Sequence, residues 1–157
     1  ASSGIHSNGL TLAREAATRG HDYADPFPDE FDAEEDRTVG EVILEPTRIY
    51  THLLGPMRDH GVRGAAHVTG GGWTNLERLG DHRYVVTDPW PIQPVFEFVQ
   101  SAGNVADGEM HRTFNMGTGF VAALPSERAE SLAEATNGRV IGRVEDGEGV
   151  AIRGLDL

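Results

Sequence analysis

The sequence predicts an α/β or α+β fold, with helices packed against a largely mixed sheet. Three observations carry this. Segments with helical spacing alternate with short extended runs, the connections between them are of mixed length, and the last two extended runs follow one another without a helix. At 157 residues the chain is long enough to bury a proper core.

The elements follow in order. Asn8 is placed to cap a first helix over 8–20, with Leu10, Leu12, Ala13, Ala16 and Ala17 as its apolar face and Gly20 as its stop. Residues 21–36 hold eight carboxylates, two prolines and no period, and read as a solvated surface loop rather than a metal site. The stretch 40–46 alternates like a strand that Pro46 ends. Ile49, Leu53, Leu54 and Met57 then space a helix over 47–61, with Pro56 inside it and Gly61 after it. A small, apolar strand runs to Val68. A glycine run follows, and then a short helix carrying Trp73, Leu76 and Leu79. Residues 83–88 read as a strand, 95–103 as a helix, 107–115 as a helical turn and 116–125 as a strand entered through glycines. An amphipathic helix over 126–138, opened by Ser126, precedes two strands expected to form a hairpin across Glu145-Asp146-Gly147-Glu148-Gly149.

Composition removes several function classes. Net charge is −12 and all 13 basic residues are arginine, so the surface repels phosphate backbones and no nucleic-acid partner is expected. Acidic excess without lysine fits a protein adapted to concentrated salt, or else a genome rich in arginine codons. Without cysteine there is no disulfide, thiolate zinc site or cysteine nucleophile. No apolar stretch approaches the roughly 18 residues of a membrane span, and no signal segment is present, so a cytoplasmic protein with no membrane partner is expected. The first residues already lie inside a motif, as in a piece of a longer polypeptide.

Three stretches carry candidate chemistry. In Thr69-Gly70-Gly71-Gly72, each glycine costs about 0.5–1 kcal/mol of backbone entropy against alanine, so something must need bare backbone there. One reading is free amides at a helix start that bind an anion. The other is a tight turn where strand and helix pack closely. In Gly4-Ile5-His6-Ser7-Asn8-Gly9, Ser7 and Asn8 suit a helix cap, but His6 is left over. A helix N-terminus favours its neutral form, which can hydrogen-bond a substrate amide or act as a base. In Asn115-Met116-Gly117, glycine-bearing backbone either lines a pocket or forms a bulge at a sheet end. The remaining histidines show no paired metal-ligand spacing.

Taken together, "SSGIHSNGLTLAR", "EPTRIY" with "AAHVTGGGWTNLERL", and "FVQSAGNVADGEMHRTFNMGTGF" resemble the carboxy-terminal domain of the phosphoribosylformylglycinamidine cyclo-ligase family, the aminoimidazole ribonucleotide synthetases. The resemblance runs from about residue 2 to 125. Beyond that, only the helix–strand–strand pattern matches. It implies a three-layer α/β/α domain, the substrate-side half of a two-domain homodimeric enzyme of purine synthesis. It also implies ATP-dependent ring closure of formylglycinamidine ribonucleotide, with ATP and Mg2+ held mainly by an amino-terminal domain absent from this chain. The 157 residues alone are then expected to be inactive. On the same basis His6 corresponds to an active-site histidine. Ser7, Asn8, Thr69, Gly70, Gly71 and Gly72 correspond to substrate- or phosphate-binding positions, with Asn115, Met116 and Gly117 lining the same cleft. The alternatives are the corresponding domain of a relative (formylglycinamidine synthetase, selenophosphate synthetase, or the hydrogenase-maturation or thiamine-monophosphate kinase type) and a non-catalytic partner-binding module.

Overall fold

A computed structural model describes residues 1–157. It is an α+β fold with two sheets, one of them mixed. Helices α1 (Leu10–Ala17), α2 (Val39–Ile43), α3 (Leu54–Asp59), α4 (Pro94–Gly103), α5 (Asp107–Thr113) and α6 (Ala129–Thr136) are interspersed with strands. The strands are β1 (Gly64–His67), β2 (Arg83–Val86), β3 (Phe120–Ala123), β4 (Gly142–Glu145), β5 (Gly149–Ile152) and β6 (Leu155–Asp156). A 3-10 helix over Gly72–Leu79 stands where the sequence predicts the short helix after the glycines.

Strands β1 and β3 pair antiparallel, with His67 opposite Phe120. The second sheet has the order β4-β2-β5-β6, β2 running antiparallel to β4 and parallel to β5. The expected hairpin over 139–155 is therefore not formed. β2 has inserted itself between β4 and β5, because Tyr84 and Val86 bury against Val150 and Ile152 there. The tight antiparallel pair is β5 with β6 instead.

Two apolar clusters result. One gathers Ile5, α1, α2, α4, α5 and Phe27. The other gathers Ala66, Trp73, Leu76, Tyr84, Val86, Val150 and Ile152 under the four-stranded sheet. The acidic loop is thus anchored: Phe27 is fully buried and meets Phe98 edge-on at 5.3 Å.

Four local expectations change. Residues 40–46 are not a strand. Thr38 and Glu41 form a reciprocal capping box that starts α2, and Val39, Val42 and Ile43 bury at helical spacing. Asn8 is not the cap of α1. Gly9 holds that position in the left-handed region (φ 61°), with no side-chain bond to the helix. Ser126 likewise makes no cap; it opens a 3-10 turn over Ser126–Arg128 that leads into α6. Over 47–61 only Thr51–Asp59 is helical, and Ile49 and Leu54 stay exposed while Met57 buries.

Candidate functional site

The three glycines differ in what the fold requires of them. Gly72 is buried with φ 52°, and a side chain there would overlap the backbone carbonyl of His111 and stand 2.8–2.9 Å from backbone atoms of Arg112 and Phe114. It is the point where the turn packs on the end of α5. Gly71 needs its φ of 95°, which L-residues rarely adopt. Gly70 has neither constraint. Its φ is not positive, and the nearest atom to an added Cβ is Asn8 Oδ1, at 3.7 Å.

Hydrogen bonds sort the same way. The Gly72 N–H donates to Thr69 O at 2.7 Å, so one of the three amides is spent inside the turn. The amides of Gly70 and Gly71 have no partner in the protein, and both residues are exposed. Asn75, which the sequence reading passed over, staples the turn from below. Its Nδ2 donates to the carbonyls of Thr69, Gly70 and Gly72, at 3.2, 3.2 and 2.7 Å. This ties down the carbonyls and leaves the amides facing outward.

The 4–9 loop lies against this turn. Ile5 plugs the helical cluster, which places His6 in the seam between the two clusters with φ 62° and 4% exposure. Because Asn8 does not cap α1, its amide makes no hydrogen bond within the chain and sits beside Gly70. Ser7 is exposed next to it.

The chemistry of His6 follows from its partners. The Ser3 backbone N–H donates to Nε2 at 3.1 Å, while the Ser3 hydroxyl donates its one proton to Pro46 O at 2.7 Å. Nε2 therefore keeps its lone pair, and the neutral ring carries its hydrogen on Nδ1, which is buried without a partner. Burial, with positive charge on His67, Arg48 and the Ala1 amino group, pushes the His6 pKa down to about 4. Desolvation leads this shift, where the sequence pointed to the helix dipole. A neutral ring whose lone pair is engaged serves as a hydrogen-bond donor rather than as a base.

Asn115, Met116 and Gly117 do not present side chains to an opening. Asn115 is fully buried. Its Nδ2 donates to Gly4 O at 2.8 Å, and its Oδ1 accepts from the Gly117 N–H at 3.0 Å. Met116 (φ 47°) packs in the helical cluster, and a side chain on Gly117 (φ 92°) would overlap the Pro91 carbonyl. This stretch holds the His6 loop in place from behind. Two residues on the far side escaped the sequence reading as well. Tyr50 and His67 stand 6.4 and 5.8 Å from His6 between ring centroids. Gly119 makes room for Tyr50 and His6, since a Cβ there would overlap the Tyr50 hydroxyl and approach His6 Cε1 to 3.0 Å.

Buried polar side-chain atoms normally find partners. The four in this chain that do not are His6 Nδ1, His67 Nε2, Trp73 Nε1 and Asn75 Oδ1. All belong to His6 or to the strand, turn and helix over 67–75. No group of three His, Asp or Glu side chains is placed to hold a metal ion, so these residues do not by themselves fit Mg2+. No helix is long and apolar enough to cross a membrane.

Curated relatives match along nearly the whole chain. Phosphoribosylformylglycinamidine cyclo-ligase of Methanopyrus kandleri is 47% identical, over 96% of this chain and 44% of its own length. The proteins of the same name from Methanosarcina acetivorans and Thermoplasma acidophilum are 41% and 40% identical, over 98% and 96% of this chain and 45% of their own lengths. The chain thus spans somewhat under half the length of these relatives. A crystal structure of a protein from Thermus thermophilus shares the fold at a TM-score of 0.52 and 24% identity, covering 95% of this chain and 47% of its own. The model of the family described as AIR synthase related protein, C-terminal domain, matches residues 1–154, and the chain belongs to that family.

Proposed function

We propose that the chain is the carboxy-terminal, substrate-side domain of a phosphoribosylformylglycinamidine cyclo-ligase, which closes formylglycinamidine ribonucleotide to aminoimidazole ribonucleotide in purine synthesis. The observation that carries the site is the clustering of every unpartnered buried side-chain atom around His6 and residues 67–75, beside two free amides. The names of the relatives supply the reaction.

In this reading ATP supplies the phosphoryl group that turns the formyl amide oxygen into a leaving group. The residues of this chain bind and orient. The amides of Gly70 and Gly71 and the side chains of Ser7 and Asn8 cradle a phosphate or another oxyanion, with Thr69 closing the turn. His6 donates from Nδ1 to a substrate oxygen without introducing a charge, and Asn115, Met116 and Gly117 hold its loop. Mg2+ and most of the ATP contacts belong to the amino-terminal half, as does the homodimer contact.

The test is His6→Gln in the full-length enzyme. Loss of one preorganised donor lowers turnover about a hundredfold at an unchanged melting temperature. A lower melting temperature with normal turnover per folded enzyme refutes the donor role and leaves His6 structural. The 157-residue chain by itself is expected to give no turnover.

A further inference from the structure

His67 has no role in that account, yet its geometry is unusual for a strand-end residue. It ends β1, immediately before Val68 and the glycine turn, and meets the His6 ring edge-on at 5.8 Å. Its Nε2 is buried and unpartnered, like Nδ1 of His6. Tyr50 closes the far side at 5.4 Å, its hydroxyl already donating to Ala1 O, and Phe120 lies opposite in the register.

We propose that His67 is a positioning residue for His6, packing edge-on against its ring so that only a neutral His6, with its hydrogen on Nδ1, fits the seam. This rests on the reading of His6 as a substrate hydrogen-bond donor. Two imidazoles this close cannot both be charged in a buried seam at ordinary pH. The other groups that bear on His6 are Arg48 and Tyr50, from the segment after α2, and the Ala1 amino group; none of them is a carboxylate that would stabilise an imidazolium. On the Gly4 side the nearby carboxylate of Glu45 is already paired with Arg37. Burial holds the His67 pKa below its usual range as well, so the pair stays neutral together.

The experiment is the pH dependence of kcat for the full-length enzyme, comparing wild type with His67→Gln and His67→Phe. Both substitutions remove a neighbour that competes with His6 for a proton, and phenylalanine keeps the ring. Each should let His6 protonate more easily and move the acidic limb of kcat upward by about one pH unit, a tenfold loss of rate on that limb. An acidic limb that stays in place in both folded variants overturns the proposal, whatever happens to melting temperature. If neither variant folds, 15N-histidine titration of the wild-type enzyme decides. Nδ1-protonated His6, titrating in steps coupled to His67, supports the pairing, whereas two independent one-proton curves refute it. Failure of the broader reading is separable, because it appears as normal turnover in His6→Gln, while the coupled titration does not depend on activity.

Discussion

The three consecutive glycines allow packing and ligand approach to be separated one residue at a time. Alanine at position 72 must adopt a left-handed φ and overlap backbone of α5, with a left-handed penalty of about 1–2 kcal/mol and an overpacking cost of about 1–3 kcal/mol. Alanine at 71 carries mainly the conformational penalty, with Thr74 Oγ1 3.3 Å from the new methyl. Alanine at 70 meets nothing closer than 3.7 Å and should leave stability unchanged or raise it by about 0.4–1 kcal/mol through the unfolded chain. A ligand drawn onto the free amides of 70 and 71 would meet that methyl. Gly70→Ala in the full-length enzyme is therefore expected to lower kcat/KM at least tenfold, about 1.4 kcal/mol, with an unchanged urea midpoint. Gly72→Ala should lower the midpoint itself. Wild-type kcat/KM in Gly70→Ala would show that nothing approaches the turn, and that close packing accounts for the run.

Two further outcomes follow from the same geometry. The depressed His6 pKa, about 4 against 6.5, means that the unfolded chain binds the proton first. Its contribution is fully present above pH 6.5 and is lost as pH falls toward 4, by at most about 3 kcal/mol. Urea midpoints at pH 7 and pH 5 should therefore differ more for wild type than for His6→Gln, and equal differences would contradict the assignment. Asn115→Ala leaves the Gly4 carbonyl and Gly117 amide buried and unpaired, which should cost about 2–4 kcal/mol and slow turnover by loosening the His6 loop. Unchanged thermal denaturation would refute that role.

Much of the architecture was legible in the sequence because it rests on local spacing. The segments at 10–17, 83–86, 94–103 and 107–113 appear where periodicity and glycine stops put them. The failures came where a short signal competed with a longer pattern. Thr38 and Glu41 spell a capping box, but the alternation of 40–46 masked it. The hairpin across 145–149 had a suitable turn sequence, yet burying β2 between β4 and β5 covers more apolar surface than a local pair would. At the site, His6 and the glycine run were visible as residues that a structural role did not fully explain. Tyr50, His67, Asn75 and Gly119 were not, since each matters through a contact that only the tertiary fold creates.

Gly72 keys the turn against α5, while Ile5, next to His6, is embedded among α1, α2 and α4. The glycine turn and the His6 loop are thus registered to the same helical block, one through a missing side chain and the other through a filled one. Slippage between sheet and helices would part the turn from the loop before any ligand contact is touched. Substitutions deep in the helical interior should therefore surface first as faulty recognition, and only afterwards as lost folding.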